Sequence, residues 1–110
     1  MKEVKPIRRL KRKLGIEVLW LFLLSQLAEG DSYAYELIKF IEEKYGFNPG
    51  KVLPYVVLKR LENEGYVESY LKDKRKYYRL TPQGIALLKE GIAYIKLVLN
   101  NLEKSLTEDI

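Results

Sequence analysis

The 110-residue sequence predicts a mostly α fold with one small β-hairpin, and three observations carry that prediction. Gly30, Gly46 and Gly65 each close a stretch of helical periodicity, which divides the first part of the chain into three helices. Residues 66–71 (Tyr-Val-Glu-Ser-Tyr-Leu) and 76–81 (Lys-Tyr-Tyr-Arg-Leu-Thr) are rich in β-branched and aromatic side chains and flank a charged turn. Ile85, Leu88, Ile92, Ile95, Leu99, Leu102 and Leu106 then fall at alternating steps of 3 and 4, a heptad seam along one last helix.

In chain order, residues 1–13 read as a basic arm that can run into the first helix after Pro6. Residues 14–28 are helical and apolar on most sides, so this helix should be buried centrally. Ser32 can cap a second helix whose apolar positions are Tyr35, Leu37, Ile38 and Ile41, with Glu36 and Glu42 outside. Asn48 as cap and Pro49 at the first helical position start a third helix that runs to about residue 64. Pro54 interrupts it, because a proline inside a helix removes a hydrogen bond. Either the helix restarts at Pro54 or it bends there. A hairpin with a basic tip follows, and Pro82, capped by Thr81, opens the last helix. Three helices, a hairpin and a fourth helix make a winged helix-turn-helix domain over residues 14–81 and a C-terminal dimerisation helix over 82–110.

Composition removes several classes of function. With 47% hydrophobic and 32% charged residues the chain is globular, not disordered. It has no cysteine and no histidine, so thiolate nucleophiles, Cys/His zinc sites and Ser-His-Asp arrangements are excluded. No paired carboxylate set or glycine-rich phosphate loop stands out, so an enzyme is the last choice and no cofactor is expected. The longest apolar run, residues 18–24, is far too short to span a bilayer, and no cleavage signal follows it. A cytoplasmic chain without a membrane partner is therefore expected.

Charge is concentrated. Residues 1–13 hold seven cations (Lys2, Lys5, Arg8, Arg9, Lys11, Arg12, Lys13) against Glu3 alone, while the other 97 residues hold 13 cations and 14 acids. Lys72, Lys74, Arg75, Lys76 and Arg79 form a second focus broken only by Asp73. Two positive clusters on a near-neutral body point to a polyanion, although solvated surface lysines would look the same. On the third helix Lys51, Tyr55 and Lys59 recur every four residues, so they can enter a major groove together. Lys72, Lys74, Arg75 and Lys76 at the hairpin tip can release counterions from phosphates, and Arg75 can alternatively enter a narrow minor groove. Tyr77 and Tyr78 are expected to point one inward and one outward. The heptad seam is narrower than a globular core demands, and a helix of roughly 25 residues spans roughly 40 Å, which favours pairing with a second copy.

Four segments resemble the PadR-like transcriptional regulators over roughly residues 16–106. Ser32-Tyr33-Ala34-Tyr35-Glu36-Leu37-Ile38 is similar to the family's turn into its second helix, with Tyr33 and Ala34 where His and Gly are common. Leu58-Lys59-Arg60-Leu61-Glu62-Asn63-Glu64-Gly65-Tyr66-Val67 resembles the end of its reading helix. Arg75-Lys76-Tyr77-Tyr78-Arg79-Leu80-Thr81-Pro82-Gln83-Gly84 is similar to its wing strand and last helix, and is the most specific match. Asn48-Pro49-Gly50-Lys51-Val52-Leu53-Pro54 fits the front of a Ser-Pro-Gly-Thr-Leu-Tyr-Pro pattern, but two extra residues separate Pro54 from Leu61. Matched from the back instead, Tyr55 takes the place of the family's tyrosine, and only Tyr55 can do its polar work.

The resemblance implies a homodimer on palindromic operator DNA, usually a repressor, whose last helix pairs with the partner's first and last helices. Some members bind small aromatic or phenolic effectors near that interface. Trp20 and Phe22 can line such a pocket, and core or interface packing is the preferred alternative for both. The expected function is therefore a homodimeric regulator that binds double-stranded DNA. A winged-helix adaptor for protein assembly is the runner-up, and RNA binding a weaker third without an aromatic platform motif.

Overall fold

A computed structural model describes residues 3–108, which leaves Lys2 of the basic segment and the end of segment 82–110 outside the described residues. Helix α1 spans Lys5–Gly15, a 3₁₀ turn Ile16–Val18, and helix α2 Leu19–Glu29. A short strand β1 (Ser32–Tyr33) leads into α3 (Ala34–Tyr45), and α4 covers Leu53–Asn63. Strands β2 (Val67–Lys72) and β3 (Arg75–Leu80) form the hairpin, and α5 runs over Pro82–Glu108.

The core forms where α2 meets everything else. Leu19, Leu23, Leu24 and Leu27 of α2 pack with Leu37 and Ile41 of α3, Leu58 and Leu61 of α4, Val67, Tyr78 and Leu88. Full burial of each such leucine contributes about 1.5–3 kcal/mol. The central placement expected for this helix is what the structure shows.

Several boundaries differ from expectation. The basic segment does run into a helix at Pro6, but that helix is α1, separate from the one expected over residues 14–28, and its apolar residues Ile7, Leu10 and Leu14 recur at helical spacing. The first expected helix is split at the 3₁₀ turn, next to Gly15, whose missing side chain makes room for the Phe47 ring. Ser32 lies in β1 and not at the cap of α3, which is Tyr33. Its hydroxyl donates to Glu36 Oε1 at 2.6 Å, so it holds a side chain of the first turn and leaves the backbone N–H groups open. Asn48 does not start α4 either. Its Oδ1 accepts from Gly50 N–H at 2.7 Å in a local turn, and Pro54 opens the helix in its first turn, where a missing N–H costs nothing.

The sheet is three-stranded and antiparallel, with β3 between β1 and β2. Tyr77 faces Tyr33 on one side and Tyr70 on the other, while Tyr78 faces Ser32 and Ser69. Tyr78 is buried and Tyr77 half-buried, so the expected inward and outward rings are found. The turn residues Asp73 and Lys74 both have left-handed backbones (φ 52° and 65°), the twist that a two-residue hairpin loop requires.

Thr81 does cap α5: its Oγ1 accepts from Gly84 N–H at 3.1 Å and donates to the Gly65 carbonyl at 2.7 Å. The first turns of α5 lie against α2, with Gly91 beside Leu21 and Trp20. Beyond Gly91 every described side chain of α5 is exposed. The helix overruns its domain, and the radius of gyration is 16.1 Å against roughly 13 Å for a compact chain of this length.

Candidate nucleic-acid interface

Helix α4 buries Leu58 and Leu61 and turns Tyr55, Val56 and Lys59 outward. Pro54 is buried, so the same turn that fixes the start of the helix also fixes the direction of Tyr55. Two open grooves flank this face. One, of about 560 Å³, lies between α4, the start of α3 and the wing, and takes Tyr55, Lys59, Glu62, Arg75, Lys76 and Tyr78 in its walls. The other, of about 550 Å³, lies towards α3 and the 48–51 loop, with Lys39, Asn48, Lys51 and Tyr55. Tyr35 and Tyr55 border both grooves and form the ridge between them.

Lys51 precedes α4, so the expected four-residue repeat with Tyr55 and Lys59 does not lie on one helix. Lys51 and Lys59 nevertheless line the two grooves on either side of the ridge that Tyr55 forms with Tyr35. At the wing, the cations divide into two sets. Lys76 Nζ lies 3.3 Å from Glu62 Oε1, and Arg79 bridges Asp31 at 3.4 Å and Glu68 at 3.3 Å. Among the described residues no acid lies within 4.0 Å of Lys51, Lys59, Lys72, Lys74 or Arg75. These five charges are free to meet a phosphate. The start of α3 adds to them: Ala34 and Tyr35 line the larger groove, and no side chain caps the first N–H groups.

Each wing cation that is not at the turn also lies over a ring. Arg75 sits 4.7 Å from the Tyr33 centroid, Lys76 5.5 Å from Tyr78, Lys72 5.4 Å from Tyr77 and Arg79 4.8 Å from Tyr70. Such contacts hold long side chains in place at about 0.5–1 kcal/mol each on an exposed surface. Tyr70 donates to Asp31 Oδ2 at 2.7 Å, and that carboxylate keeps its phenol above the ordinary tyrosine range. Hydrogen bonding to Asp31, then to Glu68, raises Arg79 in the same way. In the groove, the Ser69 hydroxyl donates to Glu62 Oε2, which lowers the Glu62 carboxyl against the opposing effect of burial, with Lys76 adding to the lowering.

Sequence reasoning misses Tyr35, because it places that ring on the buried side of its helix; Tyr35 is 67% exposed. The signal is present, since Ala34, not Tyr35, is the residue three before Leu37 and seven before Ile41. Glu62 is a second residue of the site that no sequence pattern singled out. It lines the groove between α4 and the wing beside Lys59 and Lys76.

The other expected sites separate. Trp20 borders a cleft of about 540 Å³ with Leu53, Val57, Tyr66 and Leu87. Phe22 does not: its ring packs edge-on against Tyr45 at 4.7 Å and Phe47 at 5.2 Å. Residues two apart on a helix point to different sides, so the two aromatics of α2 cannot share one pocket. Of the heptad residues, Ile85, Ile92, Ile95, Leu99, Leu102 and Leu106 are exposed. Leu88 is the exception. At 8% exposure it belongs to the core of its own protomer, because it lies where α5 still crosses α2. Among the described residues no helix is long and apolar enough to cross a membrane, and no three potential metal ligands gather.

The model of the transcriptional regulator PadR-like family matches residues 23–90. A solved transcriptional regulator from Clostridium thermocellum is 36% identical, covers 77% of this chain and 89% of its own, and superposes with a TM-score of 0.72. A PadR family regulator from Eggerthella lenta is 31% identical over 91% of this chain and 84% of that one, with a TM-score of 0.71. A PadR family regulator from Clostridium difficile is 32% identical over 76% of this chain and 95% of that one, with a TM-score of 0.65.

Proposed function

The chain belongs to the PadR-like family of transcriptional regulators, a DNA-binding family and not a family of enzymes, and from that premise we propose that it acts as a homodimeric repressor on a palindromic operator. The observation that carries this proposal is the groove between α4 and the wing, with free cations on both walls and an uncapped helix start at its end. In the proposed complex α4 enters the major groove with Tyr55 and Lys59 towards base edges, and Lys51 meets the backbone at the entry of the helix. A phosphate strand passes between α4 and the hairpin, and Lys72, Lys74 and Arg75 hold it or reach into the adjoining minor groove. Two such units act one helical turn apart, roughly 34 Å, when a second copy covers the exposed seam of α5, Ile85, Ile92, Ile95, Leu99, Leu102 and Leu106.

The test is duplex-DNA binding by the purified chain across a salt series, with its mass from light scattering. A dimer that binds saturably and weakens steeply with salt is expected. Changing Lys74 and Arg75 to Ala should weaken binding to all sequences alike and make the salt slope shallower, by about 0.9 for each phosphate no longer neutralised. Changing Tyr55 to Ala should instead narrow the gap between operator and random DNA. A dimer that ignores duplex DNA at low salt would sink the regulator and favour a protein-assembly role.

A further inference from the structure

We propose that Glu62 is a built-in brake on DNA affinity: its carboxylate keeps Lys76 occupied and sets a negative charge in the phosphate path between α4 and the wing. The proposal rests on the DNA-binding reading of that groove and adds a residue with the opposite sign of effect.

Glu62 is the one acidic side chain among the residues that line the groove, whose other charged members are Lys59, Arg75 and Lys76. It is held from three elements. The backbone of α4 carries it, Ser69 of β2 donates to Oε2, and Lys76 of β3 approaches Oε1 at 3.3 Å. Lys59, one turn earlier on α4, faces the same space. The carboxylate is therefore fixed, and not a mobile surface acid that swings aside at little cost. Its side chain keeps 30% of its exposure, so it meets whatever enters the groove.

Two consequences act in the same direction. Lys76 points its ammonium at Glu62 and can neutralise a phosphate only by leaving an uncompensated carboxylate behind. A phosphate that enters between Lys59 and Arg75 also meets a like charge at close range, which opposes binding. Neither effect reads a base, so Glu62 lowers affinity for every sequence and leaves Tyr55 to discriminate. For a regulator facing a genome of non-specific sites, weaker phosphate affinity shortens the time spent on wrong DNA.

Glu62→Gln tests this, since glutamine keeps the shape and can still accept from Ser69. On a random-sequence duplex in a salt series, the variant is expected to bind on the order of tenfold more tightly, with a slope steeper by about 0.9 per protomer as Lys76 turns to a phosphate. Adding Lys76→Ala to Glu62→Gln should remove the extra slope, while Lys76→Ala alone changes it little. Glu62→Asp, which keeps the charge, should retain the wild-type slope. An unchanged slope in Glu62→Gln, or a fall in affinity together with a lower melting temperature, overturns the brake and leaves Glu62 a structural residue. An aspartate variant that behaves like the glutamine one also overturns it. In those cases the wild type still binds DNA and the regulator stands; a wild type that binds no duplex removes both.

Discussion

Gly84 shows how one residue can fix the geometry of a joint. A Cβ built there would stand 2.1 Å from the Tyr66 carbonyl oxygen and 2.7 Å from Leu80 Cδ1. The same carbonyl accepts from Thr81 N–H at 3.2 Å, so the first turn of α5 is seated directly on the chain between α4 and β2. Backbone cannot swing away as a flexible side chain would. Gly84→Ala is expected to destabilise the fold by about 3 kcal/mol or more, in the upper range for an overpacked site, and to lower the melting temperature accordingly. A melting temperature within a few degrees of wild type would mean that α5 lifts off Tyr66 at little cost. Thr81 acts at the same joint by capping, which the sequence made readable because Thr followed by Pro is a common helix start. Gly84 looked like any other glycine near a helix end, because the carbonyl it must clear belongs to a residue eighteen positions earlier.

At the scale of elements, the wing separates stability from affinity. Its turn is made by Asp73 and Lys74, both with φ in the left-handed region that favours glycine and asparagine. Among the described residues Lys74 makes no ion pair and no cation–π contact, so no charge contact in the turn ties its side chain to the fold. Lys74→Gly should therefore stabilise the domain by about 1 kcal/mol, read by chemical denaturation, while DNA affinity falls because one proposed phosphate partner is missing. A decline on both measures would show that the lysine stem also packs. The hairpin was legible because two aromatic-rich segments and a charged turn have no helical alternative. The start of α4 was not, because Asn48-Pro49 and Pro54 both read as helix starts, and only the burial of Pro54 in the fold decides between them. β1 has two residues, too few to show alternation, and it exists because β3 offers it an edge. The site divides in the same way. The basic tip was visible as a charge cluster, but which of its cations are already spoken for depends on Asp31 and Glu62, which are distant in sequence.

For the whole molecule, the unsolved physical problem of a single protomer is its apolar surface. Ile92, Ile95, Leu99, Leu102 and Leu106 line the free half of α5, and α1 shows a second stripe of Ile7, Leu10 and Leu14, each at least 41% exposed. Most helical stability in proteins comes from packing an amphipathic face, so the exposed apolar half of α5 is what the proposed dimer would cover. In the proposed homodimer a second copy would cover both stripes at once, since the 3-4 spacing of the seam suits helix-on-helix packing and the cations of α1 would stay outside it. Leu99→Glu with Leu102→Glu places two charges in the middle of the proposed seam. The expected result is a monomer by light scattering, with helical signal lost from the far end of α5 and the wing domain still folded. Duplex binding should then fall by about 100-fold or more, because two half-sites are no longer engaged by one linked unit. A dimer that survives both charges would place the interface elsewhere and leave the heptad spacing without a role. A monomer that keeps full DNA affinity would separate oligomerisation from recognition and remove the need for two half-sites.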